Sequence, residues 1–113
     1  MHEMAITQGI LDLVLGEAAR AGAGKVTMIN LVLGEMSGIV DEYVQFNFDF
    51  MSKHTPAEGA ALSFRKVPKQ ARCRKCAHLF SPGDVFWACP ECQSMELEMV
   101  SGDELYVESI EVE

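Results

Sequence analysis

The feature that most constrains this chain is its set of four cysteines, which form two Cys-x-x-Cys pairs separated by twelve residues. The pairs are Cys73 with Cys76 and Cys89 with Cys92. A Cys-x-x-Cys turn aims two thiolates at one point, and two facing turns complete the tetrahedral four-sulfur shell of structural Zn²⁺. Because this shell leaves no open position, the spacing predicts one structural zinc ion. Two disulfides, a redox dithiol and an iron centre on the same thiolates are the alternatives.

The size and the N-terminal sequence indicate what kind of protein carries this cluster. A chain of 113 residues with 49% hydrophobic residues is as long as one ordinary domain and can build a core. Its first twenty residues have no basic leader, and Asp12 and Glu17 interrupt the apolar side chains, so we expect neither a signal peptide nor a membrane span. We therefore predict a cytoplasmic protein, where thiols stay reduced and can bind metal.

Charge is unevenly distributed along the chain. The formal net charge of −8 argues against general nucleic-acid binding, which requires lysine and arginine to replace counterions on phosphates. Either the basic run that enters the first cysteine pair and the acidic residues after it are solvated faces that neutralise each other, or this run is a docking patch for an acidic partner. This run holds six of the nine basic residues, namely Arg65, Lys66, Lys69, Arg72, Arg74 and Lys75.

The remaining sequence has the pattern of a domain that mixes helices and strands. Residues 4–21 place apolar side chains at three- and four-residue steps, which predicts an amphipathic helix that stops at Gly22. Residues 25–33 are almost entirely apolar and predict a strand covered on both faces. Two further strands are predicted at residues 62–65 and 104–112, the last with a bulge near Ser109.

The cysteine pairs lie between the last two predicted strands, so they form an insertion in this domain. Pro68 and the Ser101-Gly102 pair mark the two connections. The predicted domains are therefore residues 1–68 plus 104–113 and an inserted metal-binding domain of residues 69–103.

The pattern leaves the segment from Val40 to Lys53 open between strand and helix. Apolar side chains alternate with polar ones from Val44 to Phe50, which predicts a strand. The acids Asp41 and Glu42 at the start of the segment favour a helix instead, as does a stripe of apolar residues at helical spacing.

His2 is the histidine with the most distinctive position. The Met1 amine, the His2 amide and the His2 imidazole can close adjoining chelate rings, and a planar nitrogen-rich set suits Ni(II) or Cu(II). Glu3 either orients the imidazole or is simply an acid at a helix start. The alternative is a solvated His2 with no metal role. The sequence has no phosphate loop, nucleophile elbow or H-E-x-x-H motif, so we do not expect an enzyme.

Four features in this order resemble the HypA/HybF family of nickel metallochaperones for [NiFe]-hydrogenase maturation, and the resemblance covers essentially the whole chain. They are Met1-His2-Glu3 running into a helix, Gly-x-x-Ser-Gly from Gly34 to Gly38, the paired cysteines, and the ending Gly102-Asp-Glu-Leu-Tyr-Val-Glu-Ser-Ile-Glu-Val-Glu113.

The resemblance implies an α+β fold in which two helices pack on a three-stranded sheet, with a four-cysteine zinc-ribbon domain inserted. It also implies that the open segment is a helix. His2 becomes the principal Ni²⁺ ligand, with the backbone nitrogens of His2 and Glu3 and the Met1 amine as further candidates. The implied Zn²⁺ ligands are Cys73, Cys76, Cys89 and Cys92.

The resemblance further implies a HypB-like GTPase and the hydrogenase large subunit as partners, with urease served in some bacteria, and neither nucleic acid nor membrane. The competing class is a zinc-ribbon nucleic-acid-binding module in which the basic run contacts the nucleic acid. That alternative leaves Met1-His2-Glu3 unexplained.

Overall fold

The computed structural model describes residues 2–83 and 87–113. Helices and strands follow in the order α1 (Glu3–Arg20), β1 (Val26–Gly34), α2 (Asp41–Met51), β2 (Ala61–Val67), β3 (Gln70–Cys73), β4 (Leu79–Phe80), β5 (Leu97–Ser101) and β6 (Leu105–Val112). The strands form two three-stranded sheets, ordered β2-β1-β6 and β4-β3-β5. The predicted α+β fold with two helices and a three-stranded sheet is confirmed.

The chain divides into two compact units. Unit 1 contains Met1–Val32, Gly38–Arg65 and Tyr106–Glu113, and unit 2 contains Leu33–Ser37 and Lys66–Leu105. Unit 2 thus includes the end of β1 and the residues directly after it, as well as the segment that carries the cysteines. The predicted division into residues 1–68 plus 104–113 and residues 69–103 concerns independent folding and stays a prediction. No described helix is both long and apolar enough to cross a bilayer.

The core of unit 1 forms because α1 has apolar residues at steps of three and four, which places them on one helix face. Helix α1 ends in a Schellman motif, in which Gly22 has a φ of 67° and the Ala23 amide donates to the Ala18 carbonyl. The glycine is needed because side chains disfavour that backbone conformation. The core residues contributed by α1, β1 and α2 are Ile10, Leu11, Val14, Ala18, Val26, Ile29, Leu31, Val44 and Phe48.

Strand β1 lies in the middle of its sheet, and none of its residues is exposed. Its one clearly polar interior residue, Asn30, donates a hydrogen bond of 3.0 Å to the Ser109 hydroxyl of β6. On β6, Val107 and Ile110 both pack against the core although they are three residues apart. The period-two alternation therefore breaks once between them, at the position where the sequence predicts a bulge.

The open segment is a helix, so its strand interpretation is wrong. Val44 and Phe48, four residues apart, are buried in the core, whereas Phe46 and Phe50 are 74% and 71% exposed. A strand would have placed all four side chains on one face. The apolar alternation thus arises from two different faces of α2.

Unit 2 is built on the antiparallel pairing of β3 with β4 and with β5. Beside this sheet, the chain after β1 approaches the chain after β5 closely, because the Met36 amide donates to the Gly102 carbonyl over 2.6 Å. A Cβ on Gly34 would lie 2.2 Å from that carbonyl oxygen, so only glycine fits there.

Candidate metal centres

The four cysteine sulfurs lie together, as the sequence predicts. All four Sγ atoms are within 4.8 Å of one another. The Sγ atoms of Cys73 and Cys92 are 3.5 Å apart, and so are those of Cys76 and Cys89. A tetrahedral ion with bonds of about 2.3 Å to sulfur requires sulfur separations of about 3.8 Å. A disulfide requires about 2 Å, so the cluster fits a bound metal ion rather than two disulfides.

Two turns with the same hydrogen bonds present the sulfurs. In the first, the Ala77 amide donates to the Cys73 carbonyl, and the Cys73 amide donates to the His78 carbonyl. The second repeats this pattern, with Gln93 donating to Cys89 and Cys89 donating to Ser94. Ala77 and Gln93 both have positive φ, at 65° and 63°, which reverses the chain directly after each pair. The repeated pattern explains why both pairs aim their sulfurs inward.

The electrostatics of the cluster favour a cation. The Cys76 amide donates to the Cys73 sulfur over 3.4 Å, and this bond lowers the pKa of Cys73 to about 6. The His78 amide lowers the pKa of Cys76, but burial and the neighbouring thiols outweigh it, so that this pKa rises to about 12. Four thiolates therefore do not coexist here without a positive ion, whereas a coordinated metal deprotonates its thiols. Together with the sulfur distances, this donor set fits zinc.

His2 is exposed and lies directly before α1. The first hydrogen bond within the helix runs from the Ile6 amide to the His2 carbonyl over 3.0 Å. Helix formation therefore does not use the amides of His2 and Glu3. His2 shares a surface depression with Met4, Ala5, Gln8 and Met51. Met1 lies outside the described residues, so its predicted role stays a prediction.

The Glu3 side chain lies within the fold of unit 1. It is only 7% exposed, and its Oε2 accepts a hydrogen bond of 3.1 Å from the Val40 amide. Val40 is the residue before α2, so this carboxylate connects the start of α1 to the start of α2. The predicted contribution of Glu3 to a nickel site, through its main-chain nitrogen, stays a prediction.

Glu3→Ala is expected to lower the free energy of unfolding by about 1–3 kcal/mol, because it leaves the Val40 amide without its acceptor. Glu3→Gln retains a side-chain oxygen and should cost less. Urea denaturation followed by the helix circular dichroism signal measures the difference. Equal unfolding free energies for Glu3→Ala and Glu3→Gln would contradict this role.

The basic run is mostly paired with acidic residues. Arg72 contacts Glu98 at 3.5 Å, and Lys75 contacts Glu96 at 3.6 Å. Further pairs join Lys69 to Glu35 at 3.9 Å and Arg65 to Glu108 at 2.9 Å. These contacts favour the interpretation of solvated faces that neutralise each other over that of a docking patch.

The residue pattern did not single out a row of exposed aromatic side chains on α2. We call Tyr43, Phe46 and Phe50 the α2 aromatic stripe; they are 60%, 74% and 71% exposed. The signal in the sequence was the excess of apolar residues that made this segment resemble a strand.

Two helices with a three-stranded sheet and a four-cysteine cluster define a small metal-binding protein of the α+β class. The chain matches, over residues 1–112, the family model described as hydrogenase/urease nickel incorporation, metallochaperone, hypA. It belongs to this family.

Individual relatives agree with this assignment. A hydrogenase maturation factor HypA of Dehalococcoides mccartyi is 42% identical over 113 residues, which cover all of this chain and 95% of the relative. A HypA of Caldanaerobacter subterraneus subsp. tengcongensis is 40% identical over 114 residues and is matched along its full length.

Solved structures share the fold. The solution structure of the nickel metallochaperone HypA from Helicobacter pylori matches 99% of this chain and 97% of its own, with a TM-score of 0.68 and 22% identity. The solution structure of another HypA protein covers 99% of this chain and 96% of its own, with a TM-score of 0.75.

Proposed function

We propose that this chain binds Ni(II) at its N-terminus and delivers it for the maturation of [NiFe]-hydrogenase. The observation that carries the proposal is the family match over residues 1–112, since it covers both the N-terminal segment and the cysteine cluster. The protein acts by binding and transferring a metal ion rather than by catalysing a reaction.

The nickel ligands in this proposal are the His2 imidazole and the main-chain nitrogens of His2 and Glu3, with the Met1 amine as a further ligand. Adjoining chelate rings in a planar nitrogen-rich set suit Ni(II). The exposure of His2 supports this assignment, because a transferred ion must reach an acceptor.

Zinc in this proposal is structural and is held by Cys73, Cys76, Cys89 and Cys92. When bound, it cross-links the two cysteine turns and leaves no coordination position for chemistry. The amide N–H groups of Lys75 and Cys76, each 3.4 Å from the Cys73 sulfur, stabilise that thiolate.

We further propose that the protein works in the cytoplasm, with a HypB-like GTPase and the hydrogenase large subunit as its partners. Relatives named hydrogenase maturation factor HypA support a role in hydrogenase assembly. The ion pairs of the basic run disfavour the competing nucleic-acid-binding module, because they occupy residues that would contact phosphates.

Metal analysis and titration test the proposal. The purified protein should contain one zinc ion per chain and should bind one further nickel ion in a calorimetric titration. In a gel-shift assay, DNA and RNA should not bind at about 150 mM salt, a physiological ionic strength. Specific, salt-dependent nucleic-acid binding without one-to-one nickel binding would instead establish the zinc-ribbon nucleic-acid module.

A further inference from the structure

The α2 aromatic stripe and Met4 are the most exposed large apolar side chains in the described part of unit 1. Met4 is 66% exposed, and the three aromatic residues are exposed to a similar degree. Single exposed apolar residues are common, but a contiguous group marks a surface that contacts another molecule. Met4, Tyr43 and Phe46 line one surface depression together, so they are contiguous.

The stripe has no role in the core of unit 1. Tyr43, Phe46 and Phe50 follow at steps of three and four, so they share one face of α2, and the buried Val44 and Phe48 lie on another face. Aromatic residues are moderate helix formers, so helix propensity does not account for three of them on the exposed face.

One side of the stripe is acidic. At about 100° per residue, Glu42 and Asp49 fall on the same flank of the stripe. Both are exposed, and neither forms an ion pair within the described residues. Glu42 also lines the depression that contains Met4 and Phe46. The surface therefore combines an apolar centre with a negatively charged flank on one side, and the Lys53 Nζ lies 5.6 Å from the centre of the Phe50 ring at its end.

The stripe also adjoins the proposed nickel site. Met4 lines the depression with Tyr43 and Phe46, and it lines the depression with His2 as well. A protein bound over the stripe would therefore lie beside His2, where it could accept a metal ion from the N-terminus.

We propose that the α2 aromatic stripe, with Met4 and the acidic flank, is the docking surface for the HypB-like GTPase of the proposed function. The inference rests on the proposed function and adds the surface and the chemistry of its partner. That partner presents an apolar patch bordered by lysine or arginine. A second copy of this chain does not fit, because Asp and Glu outnumber Lys and Arg by ten to four in unit 1, and like charges would face each other.

The test measures binding of the purified HypB-like GTPase to the full-length, zinc-containing chain by biolayer interferometry. Phe46→Ser/Phe50→Ser should weaken binding by about thirtyfold or more, since buried aromatic residues dominate interface energies. Glu42→Lys/Asp49→Lys should slow association by about tenfold at low salt, and high salt should reduce this difference. Circular dichroism and zinc content confirm that each variant is folded.

Matched controls change exposed residues elsewhere. Leu79→Ser/Met95→Ser removes two exposed apolar side chains from unit 2, and Glu91→Lys/Glu111→Lys makes the same change in net charge as the acidic-flank variant. Both control variants should bind the GTPase as the native chain does. Nickel titration of all variants should give native affinity, so a failure of docking remains distinct from a failure of nickel binding.

Three results would overturn the inference. The first is no GTPase binding by the native chain, and the second is equal binding by the native and Phe46→Ser/Phe50→Ser chains. The third comes from sedimentation equilibrium of the protein alone: a native dimer that becomes monomeric in Phe46→Ser/Phe50→Ser would assign the stripe to self-association.

Discussion

Replacing Cys73 with serine is expected to abolish zinc binding and to unfold the segment of residues 69–103, while unit 1 keeps its two helices. Structural zinc in small modules contributes on the order of 10–16 kcal/mol of apparent binding free energy, which is as large as the whole stability of a typical small domain. In the described part of this segment, the strands β3, β4 and β5 are only four, two and five residues long. Unit 1 has its own apolar core and should survive.

Two separate signals distinguish the units in this experiment. Both helices lie in unit 1, so circular dichroism of the helix bands reports mainly on unit 1. The single tryptophan, Trp87, lies in unit 2 and makes its fluorescence a report on that unit. Cys73→Ser should shift Trp87 emission towards that of an exposed indole and leave the helix signal in place. Lys75→Ser, an exposed substitution in the same turn, is the control and should change neither signal.

Other outcomes would count against the zinc assignment. Native zinc content and native Trp87 emission in Cys73→Ser would contradict it. A mixed nitrogen and sulfur shell in X-ray absorption of the native protein would contradict the four-cysteine ligand set.

The cysteine cluster could be predicted from the sequence because its geometry is local. A Cys-x-x-Cys turn determines the separation of its two sulfurs within a few residues, and the amide of Ala77 or Gln93 closes each turn on its own first cysteine. Only the meeting of the two turns depends on distant contacts, and the antiparallel pairing of β3 with β5 provides it.

The residue pattern could not decide the conformation of α2, because the apolar residues of an exposed face and of a core face alternate in it. Val44 and Phe48 are buried in the core, whereas Phe46 and Phe50 are exposed. An interpretation that assigns every apolar residue to the core finds period two and predicts a strand. Resemblance to a known family correctly indicated a helix where the pattern left both options open.

Two contacts, which position the N-terminal segment and the end of β1, could not be predicted from the sequence pattern within one segment. Glu3 and Val40 are 37 residues apart, and no spacing rule relates a helix-start acid to an amide at the start of another helix. The close approach of Gly34 and Gly102 likewise joins distant parts of the chain. Such contacts follow from the packing of elements and not from the pattern within one element.

Replacing His2 with alanine is expected to weaken nickel binding by about 100-fold or more. Loss of a group that only orients a metal ligand costs about 10- to 100-fold in affinity, so loss of the imidazole ligand itself should cost at least as much. Zinc content and the helix signal should not change, because His2 is exposed and precedes α1.

Extending the chain at its N-terminus should weaken nickel binding in a comparable way if the Met1 amine is a ligand. The extension replaces a free amine by a peptide nitrogen and changes the charge and geometry of the chelate. A C-terminal extension of the same length is the matched control and should bind nickel as the native chain does. Native affinity in the N-extended chain would remove the Met1 amine from the ligand set and leave the role of His2 intact.

The most direct test of the central claim is a calorimetric nickel titration of native and His2→Ala chains, each loaded with one zinc ion. The native chain should bind one nickel ion per chain, and His2→Ala should show no specific binding at the same concentrations. One-to-one nickel binding of native affinity by His2→Ala would contradict the proposed N-terminal nickel site.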